Sequence, residues 1–226
     1  MQPLALARVL QYTNVQPDAT RADIRIHCET AAEYGFQAVM IQPCWIGLAR
    51  EILQGTGTRV ASAVAYPMGG ETTAMKVLLV REVVRLGADE FDFQPNTGFL
   101  KSGMASEFLE EVRQVVAAAE GRPVKSMSEF GYLNREERSL AVRLAEEGGV
   151  AYVKNSSGIG PGGSPATVEE IRFIRDLLTG RAKIKASGGI RSYPQAVAML
   201  EAGAHLIGSS AAPAIAGGGA SGGAVY

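Results

Sequence analysis

Cysteine is scarce: the 226-residue chain has only Cys28 and Cys44. Two are too few for a disulfide framework, and they form no C-x-x-C metal pair. That usage suits a reducing cytosol, so a cytoplasmic location is expected. Histidine is equally rare. His27 and His205 belong to no Ser/His/Asp or metal-ligand pattern, so both are expected to be structural, and no metal is expected. An excess of charge of one sign is also missing. The formal net charge of −1 gives no footprint for nucleic acid or a membrane surface. No apolar run approaches the length of a membrane span, and Met1 to Leu10 lacks the basic start and apolar core of a signal peptide.

What the chain does have is a steady alternation of short apolar runs and amphipathic stretches. Arg8 to Val15, Gln37 to Gln42, Arg59 to Tyr66, Glu90 to Pro95, Pro123 to Ser128, Ala151 to Lys154, Ala182 to Ala186 and His205 to Gly208 read as strands. Helices are expected from Asp18 or Thr20 to Tyr34, Trp45 to Gln54, Thr72 to Leu86, Ala105 to Ala119, Asn134 to Glu147, Thr167 to Leu178 and Tyr193 to Ala202, with a short one from Ser209. Gly35, Gly87, Gly148, Gly180 and Gly203 fall where those helices stop. Eight such units predict an α/β fold, a closed (β/α)8 TIM barrel. An open doubly wound sheet is the alternative, but the first strand ends in Asn14, Val15, Gln16 and Pro17, without the glycine fingerprint that fold uses. One domain, 1–216, is expected, followed by a flexible glycine-rich tail, 217–226, ending on Tyr226. Such a tail could fold back over a rim and deliver the Tyr226 hydroxyl to a site.

The chemistry centres on Tyr152 to Gly158 (YVKNSSG), where a buried-looking strand ends in Lys154. A lysine there is either paired or partly neutral, and a neutral lysine forms Schiff bases with carbonyls. In a parallel barrel, strand ends and the loops after them make one working face. Lys154, Lys185 and Asp92 are expected to share it. Two ammonium groups about 4 Å apart repel by roughly 4 kcal/mol at an effective dielectric near 20, on the order of three pKa units, so one gives up its proton more readily. Asp92 would move protons among amine, carbinolamine and substrate hydroxyl. This is iminium chemistry, with no metal and no cofactor. A second constellation binds anions. Ser187 to Arg191 (SGGIR) follows strand seven, and Gly208, Ser209 and Ser210 follow strand eight and open a helix. Gly158 to Gly163 (GIGPGG) adds a third glycine-rich loop. Cys44, after Gln42 and Pro43, either faces the mouth or is buried like an apolar residue, the latter being the expectation.

These segments resemble the deoxyribose-phosphate aldolase family, class I aldolases with a TIM barrel, from about Leu10 to Ala216. YVKNSSGIGPGG from Tyr152 is similar to that family's Schiff-base segment, usually FVKTSTGFGPGG. IKASGGIR from Ile184 matches its second-lysine segment, and GADEFDF from Gly87 matches the segment carrying its catalytic aspartate. The resemblance implies that Lys154 forms the Schiff base, that Lys185 lowers its pKa and moves protons, and that Asp92 is the proton donor and acceptor. It implies that Gly188, Gly189, Arg191, Ser209 and Ser210 hold a phosphate, with Ser157, Gly158 and Gly208 beside them and Thr13 and Cys44 as further candidates. It also implies that Tyr226 assists proton transfer. The implied substrate is 2-deoxy-D-ribose 5-phosphate, cleaved to D-glyceraldehyde 3-phosphate and acetaldehyde. Two alternatives remain: an aldolase or transferase with another carbonyl donor, and a non-catalytic phosphosugar-binding barrel. The resemblance admits a homodimer. The chain departs from the family's DHTLLKP at strand one, where it reads QYTNVQP from Gln11 to Pro17. It also reads QPNTG from Gln94 where the family has VINIG, so residues lining the sugar are expected to differ.

Overall fold

Each strand of the barrel is short, apolar toward the outside and followed by a helix that covers it. The computed structural model describes residues 6–159 and 163–218. Tyr226 and residues 219–226 of the expected tail lie outside the described residues, as do residues 160–162. Eight parallel strands close in sequence order: β1 (Leu10–Asn14), β2 (Ala38–Ile41), β3 (Arg59–Val64), β4 (Glu90–Phe93), β5 (Val124–Met127), β6 (Tyr152–Lys154), β7 (Lys183–Ser187) and β8 (Leu206–Ser209), with β8 pairing back onto β1. The expected TIM barrel is the observed fold. Helices α1 (Arg21–Tyr34), α2 (Ile46–Ile52), α3 (Thr73–Arg85), α4 (Thr97–Lys101), α5 (Ala105–Ala118), α6 (Arg135–Glu147), α7 (Val168–Leu177), α8 (Tyr193–Ala202) and α9 (Ala212–Ala216) surround it.

Local sequence explains the helix boundaries. Thr20, not Asp18, caps α1: its hydroxyl accepts from the Asp23 amide while Asp23 accepts from the Thr20 amide. Asn134 with Glu137 and Ser192 with Gln195 build the same reciprocal box at α6 and α8. Each such cap is worth about 1 kcal/mol. Gly35 ends α1 in a left-handed conformation, as expected. The short helix α4 went unread because Asn96 caps it without a side-chain hydrogen bond and Gly98 sits inside it. The final helix begins at Ala212 rather than Ser209, since β8 runs on through Ser209.

Two apolar regions result. The larger lies between strands and helices, with Phe36, Phe91, Phe93, Phe108, Val112 and Ile171 at its centre. The smaller lies inside the barrel, where Val15, Ala38, Met40 and Ala61 line the β1–β3 side. The other half of the interior is polar. Glu90, Asp92, Lys125, Lys154 and Lys185 are all buried there on β4–β7. Alternation along each strand sends Glu90 and Asp92 inward while Phe91 and Phe93 pack outward against helices. Among the described residues no helix is long and apolar enough to cross a membrane.

Candidate active site

Strand register brings the lysines together. Lys154 on β6 and Lys185 on β7 are direct cross-strand partners, as are Asp92 on β4 and Lys125 on β5. Both Lys154 Nζ and Lys185 Nζ donate to one oxygen, Asp92 Oδ2, at 2.8 and 2.6 Å. Lys154 Nζ also touches Met127 Sδ at 3.4 Å. Lys154 is 5% exposed and Lys185 and Asp92 1% each, so the three groups meet almost without water.

A layer beneath this trio went unassigned at the sequence level. The Lys125 side chain is fully buried there, with Nζ 2.6 Å from Glu90 Oε2 and 3.5 Å from Asp92 Oδ1. Glu90 Oε1 accepts from Gln37, whose own amide oxygen accepts from Gln11. Gln11 therefore sits under the amines, locked to Gln37, and not against a sugar. Of the other altered strand-one residues, Tyr12 stacks on His27, Gln16 is exposed, and Val15 lines the mouth. His27 is structural, as expected: it is buried, with Nε2 3.0 Å from the Tyr12 carbonyl.

Charge accounting decides the protonation states. Three ammonium groups, Lys125, Lys154 and Lys185, face two carboxylates, Glu90 and Asp92. Burial pushes Asp92 upward, but Lys154, Lys185 and Lys125 outweigh it and hold the carboxyl well below its usual range. Asp92 is thus an ionised acceptor at rest. Lys185 is pushed down to about 7, first by burial, then by Lys154 and Lys125 against the pull of Asp92. The surplus cation is relieved at Lys185, and desolvation contributes more than the repulsion expected from sequence. Burial raises the carboxyl of Glu129, beside Ser157, above its usual range, while its bonds to Ser157 and the charge of Lys154 oppose that shift. Its Oε1 accepts the Ser157 amide, its backbone is left-handed at φ 42°, and its Oε2 has no hydrogen-bond partner among the described residues.

A small cleft opens at the mouth above these groups. It is lined by the loops after β6, β7 and β8, which bring Ser157, Gly158, Gly188, Gly189, Arg191, Gly208, Ser209 and Ser210 together, and Thr13 joins them from β1. Ser187, which opens the SGGIR segment, lines it as expected, and so does Tyr66, which was not singled out from sequence. Gly188 has φ 102°, and a Cβ there would meet the Ser164 carbonyl oxygen at 2.7 Å, so only glycine fits this turn. Gly208 serves the amines instead. A Cβ there would lie 3.0 Å from Lys185 Cε, so the bare backbone leaves room for that side chain. The Ser209 hydroxyl is not free for an anion: it donates to the Ile190 carbonyl at 2.6 Å and accepts from the Ala211 amide. The loops also lean on buried Asn155, whose Oδ1 accepts the Ser187 amide. Cys44 corrects the expectation of burial: it is exposed on the 3-10 turn Pro43–Trp45 and does not line the cleft. Lys183, two residues before Lys185, is exposed at the opposite end of β7. Among the described residues no cluster of His, Cys, Asp or Glu is arranged to hold a metal.

A closed parallel barrel with interior lysines converging on one carboxylate is the machinery of a class I aldolase. The model of the DeoC/LacD family aldolases matches residues 8–222. The chain is 41% identical over 215 residues to the deoxyribose-phosphate aldolase of Dictyoglomus turgidum, covering 95% of this chain and 97% of that one. It is 42% identical over 217 residues to the deoxyribose-phosphate aldolase of Methanocella arvoryzae, covering 95% and 96%. Among solved structures, the aldolase QR15 superposes with a TM-score of 0.89 at 32% identity, covering 94% of each chain. The tetrameric deoxyribose phosphate aldolase of Aeropyrum pernix superposes with a TM-score of 0.88 at 27% identity, covering 96% of this chain and 91% of that one. The chain belongs to the DeoC/LacD aldolase family.

Proposed function

We propose that this aldolase cleaves 2-deoxy-D-ribose 5-phosphate reversibly to D-glyceraldehyde 3-phosphate and acetaldehyde through a Schiff base on Lys154. The observation that carries the reading is the single oxygen, Asp92 Oδ2, shared by two buried lysine amines. Lys185, pushed down to about 7, is the base that takes a proton from the Lys154 ammonium by way of that oxygen. The freed Lys154 amine adds to the substrate carbonyl, giving a carbinolamine that loses water to an iminium. Removal of the proton from the β-hydroxyl then breaks the carbon–carbon bond, and its electron pair moves into the iminium to give an enamine. The hydroxyl-bearing carbon leaves as the first aldehyde. Protonation of the enamine carbon and addition of water release the second aldehyde and restore the amine. The amides of Gly188 and Gly189, Ser210 and the Arg191 guanidinium hold the phosphate end at the mouth. Borohydride added with acetaldehyde should fix an adduct on Lys154, read by peptide mass spectrometry. An unmodified Lys154 under those conditions ends this reading.

One observation favours a second donor. Gln94 follows Asp92 on the same inward face, is 1% exposed, and anchors Nε2 on the Met127 carbonyl at 3.4 Å. Its Oε1 has no hydrogen-bond partner among the described residues. A buried acceptor left open on the inward face that also carries Asp92 suits a donor aldehyde with a hydroxyl, such as glycolaldehyde. The kcat/KM ratio of glycolaldehyde to acetaldehyde, compared between the native enzyme and Gln94→Val, tests this. The ratio should fall about tenfold or more in the variant. An unchanged ratio leaves acetaldehyde as the donor.

A further inference from the structure

The opposite end of the barrel carries a cleft that the aldolase chemistry does not use. Its volume is about 670 Å³. Strand starts supply its cations: Arg8 precedes β1, Arg59 begins β3, Lys183 begins β7, and His205 precedes β8. All four are exposed, and among the described residues no carboxylate lines the cleft. Elsewhere on the surface, arginines such as Arg50, Arg85 and Arg113 are matched to Asp89, Glu82 and Glu147. Arg8, Arg59 and Lys183 form no ion pair among the described residues. His205 Nδ1 accepts the Ile184 amide, which leaves Nε2 as the donor of the neutral ring.

Unpaired cations around a concavity repel one another unless an anion sits among them. Strand register holds the stems of these side chains at one end of the barrel, because Arg59 and Lys183 are tied into the sheet by the hydrogen bonds of their own amides to Gln37 and Ala151. Aromatic surface flanks them. Tyr34 is 41% exposed and stacked on Phe36, with centroids 5.2 Å apart, and Tyr152 is half-buried at the cleft floor. We propose that this face is a second anion site, separate from the mouth, for a diphosphate group, with Arg8, Arg59, Lys183 and the His205 Nε2–H as its donors. The diphosphate is either inorganic or the end of a nucleotide whose base would lie on Tyr34.

The test uses the full chain in metal-free buffer, titrated with inorganic pyrophosphate and with ADP. Amide shifts in a 1H–15N spectrum should concentrate at Arg8, Arg59, Lys183 and His205. In calorimetry the Arg59→Ser, Lys183→Ser double variant should bind pyrophosphate at least tenfold more weakly while cleaving substrate at the native rate. Tighter binding of ADP than of pyrophosphate assigns the site to a nucleotide; equal or weaker binding assigns it to the bare anion. Shifts confined to Gly188, Gly189, Arg191 and Ser210 overturn the proposal, as does affinity unchanged in the double variant. The spectrum of the native chain decides the matter even where the variant is poorly behaved.

Discussion

Two sets of buried lysines sit in this molecule and do different things. Lys76, on α3 outside the barrel, is fully buried against Glu111 of α5 at 2.9 Å and donates to the Gly69 carbonyl at 2.7 Å. Burial lowers its pKa, and Glu111 and Glu71 oppose that shift. There one lysine meets one fully buried carboxylate, and Glu111 also holds the Asn96 amide, so the pair pins the β3–α3 loop to the start of α4. Inside the barrel three lysines meet two carboxylates. Burial is common to both places; the uncompensated cation is not. A buried lysine with its own anion is a brace, whereas a buried lysine in excess of anions becomes an amine.

Removing the amine itself breaks the contrast most completely. Lys154→Ala should lower kcat/KM by at least about a thousandfold and abolish the borohydride adduct, both measured on the folded variant. Next in size is Lys185→Met. It should cost about 10²–10⁴ in kcat, because Lys154 then has no neutral neighbour to take its proton. In the native enzyme kcat/KM should fall about tenfold per pH unit as pH drops below about 7, where Lys185 becomes protonated, and level off above it. The variant should lose that limb; a limb kept in Lys185→Met would place the controlling base elsewhere. A smaller effect belongs to the mouth. Gly188→Ala places a methyl 2.7 Å from the Ser164 oxygen, and should raise KM for a phosphorylated substrate about tenfold with kcat nearly kept. Least of all in turnover is Lys76→Met. It strands Glu111 and should cost about 3–5 kcal/mol in urea unfolding, while the folded fraction keeps native kcat.

Legibility differed between the elements and the centre. Strand β6 was readable because an apolar run that stops at lysine and glycine marks a strand end, while Lys154 drew its chemical meaning only from Lys185 and Asp92 elsewhere in the chain. The loop after β7 that lines the mouth was readable from Gly188 and Gly189. Lys125 was not: flanked by Val124 and Ser126, it reads as a strand-end charge until the register with Asp92 draws it inside. The bond of the Ser209 hydroxyl to the Ile190 carbonyl was not readable, because it joins different strand ends. The unpaired floor cations were invisible for the same reason, since Arg8, Arg59, Lys183 and His205 are scattered along the chain.

The sequence by itself determined the barrel, since period and capping are local properties, and it determined which residues are chemically able to act. Only the tertiary structure chose Lys185 as an amine pushed down to about 7. That choice depends on how many charges surround each nitrogen and how little water reaches them, and neither is a property of any one stretch of chain.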